Sequence, residues 1–489
     1  MANRLFYGAL LLTCANLFLR AVGTGFQVYL SGRIGAAGVG VLHLVLSVRG
    51  MAYTFGLFGV RTAALYLGGE GRGLGGVRRG CFGYTAVFSA AGAAVLWGLS
   101  GGLAESWGGG AEVRRALRAC AVFLGPECLC AVLSACFTAA GRIKTLVAVE
   151  VLEQVGAVGA VALLLHYGCA GVPAVVLGNG AAALGTLGAL TLLFPEQGRG
   201  GPAPLRRIVG TALPLGAAEC LRAGLNTVEN LIVPRRLALW AGTSDAMADF
   251  GVVCGMVFPV LMFPAAVLFA LAELLVPELP RCVPGGRRVP YLVGQGLRIA
   301  LLYGLAAGGF FYCAAGPLGA LLYGSTEAAK QLRLYAPLAP VLYMDAIADA
   351  MCKGLGQQRA NARYNLVTSL LDTTLLWTLL PRLGLGGYYF SFATSHIVNF
   401  ALSLRRLLQV SGVRLSPSLT LRAGLGAAGA ALAASLLPDW SSWTGGAAFA
   451  GYYLLLLACA WTLLGVVGPG DLRWLGRLAA PRPQRGSRP

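Results

Sequence analysis

Long apolar runs separated by short polar segments extend over nearly the whole chain, from Leu5 to Val467. Each run has roughly 18 to 26 residues, enough for a helix to cross a hydrocarbon core of ~30 Å. The runs are rich in Leu, Ala, Val and Gly and are too long for barrel strands, so the pattern predicts helices. About fourteen spans are expected, at 5–30, 41–67, 81–103, 117–140, 145–167, 171–194, 208–233, 250–276, 291–313, 334–354, 363–381, 386–404, 422–437 and 447–468.

The composition excludes a soluble protein. The chain has 489 residues, of which 57% are hydrophobic and only 12% are charged, whereas an ordinary soluble domain has about 25% charged residues. About fourteen helices of ~20 residues leave room only for short loops, so a catalytic domain outside the bilayer is excluded as well. The sequence therefore predicts an all-α protein embedded in the bilayer along most of its length.

The net charge of +19 would suggest a nucleic-acid partner in a soluble protein. Here the Lys and Arg residues cluster in alternate loops, with about 24 on one side of the predicted spans and roughly 9 on the other. This bias predicts an even number of spans in a bacterial cytoplasmic membrane, with both termini in the cytoplasm and no nucleic-acid partner. The first span follows Met1–Arg4 and lacks a cleavage motif, so we expect it to be retained.

Two internal matches indicate a duplication. At an offset of 202 positions Leu19-Arg20-Ala21 matches Leu221-Arg222-Ala223, and near an offset of 214 Leu124-Gly125-Pro126 matches Leu338-Ala339-Pro340. The pattern predicts two six-helix lobes of equal topology, related by a pseudo-two-fold axis along the membrane normal. The predicted units are an N-lobe (1–200), a C-lobe (201–410), two additional helices (411–470) and a basic cytoplasmic tail (471–489).

Each half carries one polar stripe at helical spacing. The first stripe, in span one, is Asn16, Arg20, Thr24 and Gln27, and the second, in span seven, is Glu219, Arg222, Asn226 and Glu229. An Arg near the bilayer centre costs about 2.5 to 3.5 kcal/mol, so these stripes are expected to face a water-filled cavity between the lobes. Alternatively, Glu219 and Arg222 neutralise each other.

Further charged residues lie in other spans. Arg49 in span two is a weaker candidate for the same cavity, since snorkelling or an inter-helix pair would also satisfy it. Asp372, one turn after Thr368 and accompanied by Thr394, supplies oxygen ligands for Na⁺ or a proton. Asp345 and Asp349, four residues apart and followed by Lys353, are favoured as a structural strip within one helix. No resident cofactor or metal is expected beyond coupling to Na⁺ or H⁺, because a phosphate-binding glycine loop, clustered histidines and a catalytic acid pair are all lacking.

Several segments resemble the stage V sporulation protein B family. The first segment extends from Arg20-Ala-Val-Gly23 to Tyr29-Leu-Ser-Gly-Arg-Ile-Gly-Ala-Ala-Gly-Val-Gly40. The second is Leu231-Ile-Val-Pro-Arg-Arg-Leu237, and the third extends from Phe263-Pro264 to Leu275-Val-Pro-Glu-Leu279. The fourth extends from Gly354-Leu-Gly-Gln-Gln358 to Leu380-Pro-Arg-Leu-Gly-Leu-Gly-Gly387. The segment Ala135-Cys-Phe-Thr-Ala-Ala-Gly-Arg142 departs from the family pattern. That family belongs to the multidrug/oligosaccharidyl-lipid/polysaccharide exporter superfamily, abbreviated MOP, together with MurJ-type lipid II flippases and multidrug and toxin extruders, abbreviated MATE.

The resemblance implies a two-lobed transporter of fourteen helices that moves a polyprenyl-diphosphate-linked sugar precursor to the outer leaflet. It further implies that Arg20 and Arg49 line the cavity and that the last two helices form a groove for the lipid tail. A sodium site formed by Glu229, Asp372 and Thr394 is also implied. The expected partners are a lipid-linked sugar substrate, the bilayer and cell-wall synthesis proteins, with a monomeric transporter.

Three functional hypotheses follow. The first is a flippase that uses alternating access, without enzymatic activity, for peptidoglycan or polysaccharide precursors and for spore cortex synthesis. The second is a cation-coupled multidrug exporter, which the acids Glu219, Glu229 and Asp372 favour and the arginines disfavour. The third is a membrane-embedded cell-wall enzyme or scaffold, for which no catalytic pair is evident.

Overall fold

The computed structural model describes residues 2–69, 74–108, 110–194, 205–242, 245–279, 288–437 and 440–467. Within these ranges every regular element is helical, as the apolar pattern predicted. The α-helices are α1 (Ala2–Leu57), α2 (Val60–Gly69), α3 (Leu74–Ser106), α4 (Gly110–Ala139), α5 (Ile143–His166), α6 (Gly171–Leu192), α7 (Leu205–Leu237), α8 (Ala246–Gly251), α9 (Phe258–Met262), α10 (Ala265–Glu278), α11 (Arg288–Leu318), α12 (Thr326–Tyr335), α13 (Ala339–Gly354), α14 (Gln358–Leu383), α15 (Leu385–Ser411), α16 (Pro417–Ala434) and α17 (Trp443–Leu463).

The boundary between the first two predicted spans was wrong. The predicted loop between 30 and 41 is helical, and α1 is interrupted only at Gly35, where φ is +72° and ψ is 173°. A straight helix of 56 residues would measure roughly 84 Å, far more than a ~30 Å hydrocarbon core. Glycine adopts positive φ without steric cost, so one residue divides α1 into two spans where a loop was expected. The second predicted span is itself broken at Phe58 and Gly59, which also have positive φ.

The eighth predicted span is bent. It comprises α8, a π-helical segment (Val252–Val257), α9 and α10, with a bend of 62° between Ala246–Met262 and Ala265–Ala272. Pro264 lies at the break, and a proline there removes a backbone donor and clashes with the preceding turn. Within the described residues eight helices are long and apolar enough to span a membrane, or nine if this pair counts as one span.

The helices pack in two groups that are joined through α1 and α2. In the first part α3, α4, α5 and α6 pack together, and in the second part α7, α11, α13, α14 and α15 do so. The two parts meet mainly through α1 and α2, which contact α7, α8 and the adjacent π-helical segment. The domain limits at 200 and 410 remain predictions.

The last two helices pack against each other and against α11. Trp461 of α17 donates a hydrogen bond to the Ala423 carbonyl of α16 (3.0 Å), and Tyr453 donates one to the Ala306 carbonyl of α11 (3.0 Å). Exposed leucines, among them Leu432 and Leu454, point away from the rest of the protein. The predicted lipid-tail groove remains a prediction, and the predicted basic tail at 471–489 lies outside the described residues.

The two ends of the bundle are distinguished by their contacts. We call the end at which α1 begins the proximal face and the opposite end the distal face. Near the distal face Ile34 approaches Gly171, and Trp240 covers Gly384. Near the proximal face Arg406 donates to the Gln357 side-chain oxygen (2.9 and 2.6 Å). The chain therefore passes repeatedly between two faces, as a multi-pass membrane protein does.

Candidate functional site

A cavity of about 1220 Å³ lies between the two parts of the molecule. One wall comes from the end of α1, from α2 and from α4, and the other comes from α7, α13, α14 and α15. All four members of the second polar stripe line this cavity, namely Glu219, Arg222, Asn226 and Glu229. The helical spacing of these residues on α7 thus places one polar face towards a common space.

Charge is distributed unevenly along this central cavity. Its cations Arg61, Arg222, Lys353 and Arg363 have exposed side chains, whereas Glu229 and Asp372 are half-buried and lie further from the proximal ends of their helices. Glu219 is an exposed acid among the cations. The cavity is therefore basic where water reaches it most freely and acidic at its deeper end.

Arg61 was missed by the sequence analysis. It lies in α2, directly after the break at Phe58 and Gly59, and its charge interacts with Glu219 across the cavity. The signal was present, because an arginine in an apolar run is costly in lipid and indicates a cavity or a partner. Treating residues 41–67 as one uninterrupted span concealed the turn that directs Arg61 to the cavity.

The expected mutual neutralisation of Glu219 and Arg222 is not seen. Both side chains are described, and they form no ion pair with each other although they line the same cavity. Arg222 instead interacts electrostatically with Asp349 of α13. Its exposed guanidinium lines the cavity, and a guanidinium in such a place suits an anionic ligand.

The deep acids are held by hydroxyl groups. Ser369 donates a hydrogen bond to Glu229, and Ser391 donates one to the Asp372 carboxylate (2.7 Å). Thr368 contacts the side-chain oxygen of Asn399 at 3.5 Å and also donates to the Tyr364 carbonyl (2.9 Å). The structure therefore brings three of the four predicted cation-coupling residues, Glu229, Thr368 and Asp372, to the same end of one cavity.

Thr394 is the exception. It is not among the residues lining the cavity, although its neighbours Ser395 and His396 are. Consecutive residues of a helix point about 100° apart, so a neighbouring position does not share the face. The described residues contain no group of three or more His, Cys, Asp and Glu side chains that would hold a metal ion. A cation here would depend on two carboxylates and neutral oxygens.

Asp345 and Asp349 have partners other than Lys353. Both oxygens of Asp345 accept from Asn399 Nδ2 (3.1 and 3.1 Å), and Oδ1 of Asp349 accepts from Asn361 (3.0 Å) and Ser403 (3.1 Å). The favoured structural role therefore fits their contacts, but these contacts join three helices, whereas a strip within one helix was expected. Together they fix the C-terminal wall of the cavity.

The first polar stripe lies elsewhere. Asn16, Arg20 and Thr24 line a second cavity of about 580 Å³ between α1, α5 and α10, together with Gln154 and Phe269. The Arg20 guanidinium lies 4.5 Å from the centre of the Phe269 ring. The expectation of one cavity shared by both stripes is therefore corrected, because the bend within the α8–α10 span places α10 beside α1 and gives the first stripe a space of its own.

The two remaining predicted residues make direct contacts between helices. Gln27 donates to the Gly255 carbonyl (3.2 Å), which joins α1 to the π-helical segment after α8. Arg49 forms an ion pair with Glu127 of α4 (2.8 Å), with side chains 30% and 8% exposed. Arg49 does not line the central cavity, so the inter-helix pair that the sequence left open is the arrangement found.

Comparison with known proteins identifies the fold. No family model matches the chain. A segment of 196 residues is 24% identical to stage V sporulation protein B of Bacillus subtilis (strain 168), covering 40% of this chain and 38% of that protein. The chain thus matches about two fifths of the curated relative.

Solved structures match almost the whole chain. The inward closed conformation of the lipid II flippase MurJ superposes with a TM-score of 0.70, covering 95% of this chain and 100% of that one at 11% identity. An inward-facing multidrug resistance MATE transporter of the MOP superfamily gives 0.62, covering 82% and 96% at 15% identity. A MOP superfamily transporter from Pyrococcus furiosus gives 0.60, covering 84% and 96% at 14% identity.

The chain has the MOP transporter fold. Both the helical architecture and the resemblance predicted from sequence are confirmed at this level. The relatives named above are a sporulation protein, a flippase and transporters. The fold and its apolar spans make it a multi-pass membrane protein.

Proposed function

We propose that the protein is a flippase that carries an anionic lipid-linked sugar precursor across the bacterial cytoplasmic membrane. The observation that carries this proposal is the central cavity, where Arg61, Arg222, Lys353 and Arg363 gather at the accessible end of a space of about 1220 Å³ between two lobes. Guanidinium and ammonium groups in a partly desolvated cavity are well suited to a diphosphate, since charge-assisted hydrogen bonds are the stronger ones.

The similarity to MurJ and to the sporulation protein supports this choice of substrate class. The MurJ structure is named as that of a lipid II flippase, and its fold extends over 95% of this chain. A polyprenyl-diphosphate-linked oligosaccharide or a lipid II-like peptidoglycan precursor combines an anionic head with an apolar tail. The head would occupy the basic cavity, and the tail would remain in lipid along α16 and α17.

Alternating access provides the transport step. The two parts touch near the distal face through α1 and α8 and closer to the proximal face through Phe58, Gly59 and Gly216, and the cations of the central cavity lie between these contacts with exposed side chains. Rocking of the lobes would break one set of contacts at a time and open the cavity to each side in turn. If the proximal face is cytoplasmic, two negative charges that move outward across an inside-negative potential of 100 mV move down the electrical gradient. This movement would release roughly 4 to 5 kcal/mol, without hydrolysis.

The test is lipid transport in proteoliposomes. We expect wild-type protein to move a fluorescent polyprenyl-diphosphate sugar between leaflets and Arg222→Gln to slow that movement at least tenfold. Arg114→Gln is the matched control, because Arg114 is an exposed arginine of α4 outside the described cavities. Unchanged transport by Arg222→Gln, with the control also unchanged, would contradict a role for the basic cavity.

A cation-coupled exporter of the MATE type is the second candidate. Its specific support is that Glu219, Glu229 and Asp372 line the same cavity as the arginines. The two functions can be separated by comparing the binding of organic cations with the binding of anionic lipid-linked sugars to the purified protein. Competition by a micromolar organic cation, with none by the anionic lipid, would favour the exporter.

Orientation and assembly belong to the same proposal. We propose that both termini are cytoplasmic, that the transporter acts as a monomer and that proteins of cell-wall or spore-cortex synthesis are its partners. A reporter fused at residue 489 and a reporter inserted in the loop between α3 and α4 would lie on opposite sides of the membrane. Accumulation of one lipid-linked precursor after depletion of the protein would identify the substrate.

A further inference from the structure

A separate basic pocket lies on the distal face, away from the transport cavity. Its volume is about 500 Å³, and it is enclosed by the end of α11, by α12 and by the start of α15. Its lining includes Tyr312, Gly316, Lys330, Arg333, Leu334 and Tyr389. None of these residues lines either of the two cavities described above.

The local sequence explains how the pocket forms. After α11 the chain turns through Gly324, which has positive φ (+59°), and Ser325 caps α12 by accepting from the Ala328 amide (3.1 Å). Helix α12 is amphipathic, so one face is buried in the protein while Lys330 and Arg333 lie on the exposed face. The two cations are thereby fixed three residues apart at the distal end of the bundle.

Arg333 lies beside the end of α11. A Cβ built on Gly316 would make an ordinary contact of 3.9 Å with Nη2 of Arg333. Its Cζ atom lies 5.9 Å from the centre of the Tyr312 ring. Among the described residues no acidic side chain lies within ion-pair distance of Arg333, and Lys330 has only an exposed contact with Glu327 (3.5 Å). Such an exposed pair contributes little, so the pocket keeps its positive charge.

The surroundings combine this charge with apolar surface. Tyr312 is 47% exposed and Leu334 is 40% exposed, and both border the cations. Tyrosine is enriched at the boundary between membrane and water, where its ring lies in lipid and its hydroxyl group in water. A basic residue near a surface of anionic lipids is attracted to it. A ligand for this pocket therefore needs a phosphate group and an apolar chain.

We propose that this pocket binds an anionic phospholipid of the distal leaflet. Arg333 and Lys330 would hold the phosphodiester, Tyr389 and Tyr312 would flank the headgroup, and the acyl chain would follow Leu334 along α11. This site is distinct from the proposed transport path, so it serves as a fixed lipid contact of the C-terminal part of the protein.

The experiment counts bound lipids on the full-length protein. Protein from nanodiscs of phosphatidylcholine with 20 mol% phosphatidylglycerol would be studied by native mass spectrometry. We expect Lys330→Gln combined with Arg333→Gln to weaken phosphatidylglycerol retention at least tenfold, without changing phosphatidylcholine retention. The charge-preserving exchange of Lys330→Arg with Arg333→Lys should retain binding, which separates loss of charge from loss of fold.

The controls decide between sources of the phosphate. The matched control is Arg114→Gln combined with Arg115→Gln, two exposed arginines at the start of α4, which should leave lipid retention unchanged. Inorganic phosphate at millimolar concentration should not displace the lipid, because it lacks the acyl chain. Equal retention by wild type and the Lys330/Arg333 double variant, or displacement by inorganic phosphate alone, would overturn the proposal.

Discussion

Gly40 and Gly251 contact each other reciprocally across the boundary between the two parts of the protein. A Cβ on Gly40 would overlap the Met247 carbonyl oxygen, and a Cβ on Gly251 would overlap the Ala36 carbonyl oxygen and lie 2.8 Å from the Gly40 amide nitrogen. The backbones of α1 and α8 thus pack directly against each other near the distal face.

This glycine contact predicts how a single methyl group would change the transport cycle. Gly251→Ala cannot be accommodated with the distal ends of the lobes together, so we expect it to separate those ends and favour an outward-open state. Spin labels at Arg33 and Arg235, two exposed positions on the distal face, should show a longer distance in Gly251→Ala than in the parent protein. Gly23→Ala, whose Cβ meets nothing within 4 Å, should leave the distance unchanged.

The ion pair of Arg49 and Glu127 predicts a stability effect. Removing Arg49 leaves a carboxylate that is only 8% exposed without its partner, so Arg49→Ala should destabilise the protein by ~3 kcal/mol, the lower end for buried pairs since Arg49 remains partly exposed. The double variant Arg49→Met with Glu127→Met should regain much of that loss. Thermal unfolding in detergent measures both, and equal melting temperatures for Arg49→Ala and wild type would contradict a structural role.

The position of Arg61 and Arg222 in the central cavity predicts which arginine substitutions weaken substrate binding most. Each guanidinium that contacts the diphosphate should contribute about 1.5 to 3 kcal/mol, so Arg61→Gln should weaken binding of an anionic lipid-linked sugar by roughly 10-fold or more. Arg49→Gln should weaken it much less, because Arg49 lies outside that cavity. Equilibrium binding to a fluorescent lipid-linked sugar would show the difference, and the reverse order would place the anion elsewhere.

Arg20 tests the second cavity. Arg20→Ala removes the charge of that cavity, and because Arg20 lies outside the central cavity we expect it to slow flipping less than Arg222→Gln does, while folding stays largely intact. Phe269→Leu keeps the charge but removes the aromatic ring 4.5 Å from the guanidinium, so it should reduce flipping only in part. Transport assays with gel filtration as the folding control distinguish these results. Full transport by Arg20→Ala would mean that the first polar stripe takes no part in the substrate path.

Glu229 and Asp372 test cation coupling. Carboxylate oxygens are hard ligands for Na⁺ and acceptors for a proton, so Glu229→Gln and Asp372→Asn should remove any dependence of flipping on Na⁺ or pH while binding of the lipid-linked sugar is retained. Glu105→Gln is the control, since Glu105 is an exposed acid at the end of α3. Transport measured over graded Na⁺ concentrations and pH would reveal the change; the same ion dependence in all variants would exclude these acids.

The polar stripe of α7 shows how far periodicity reaches. Glu219, Arg222, Asn226 and Glu229 recur at helical spacing, and the structure places all four on one cavity wall. The stripe of α1 has the same periodicity, yet its residues Asn16, Arg20 and Thr24 line another cavity. Periodicity determines which residues share a face of one helix, but not which other helix that face meets.

The sequence alone establishes that the chain is a helical membrane protein, because each apolar run must satisfy its own backbone hydrogen bonds in lipid. It also determined which polar residues stand out as costly in that medium. The folded structure was needed to show that Arg49 pairs with Glu127, that Arg61 and Arg222 line one cavity, and that a break at Gly35 stands in place of the first predicted loop. These outcomes depend on contacts between segments far apart in the chain, where a single bend redirects a whole helix face.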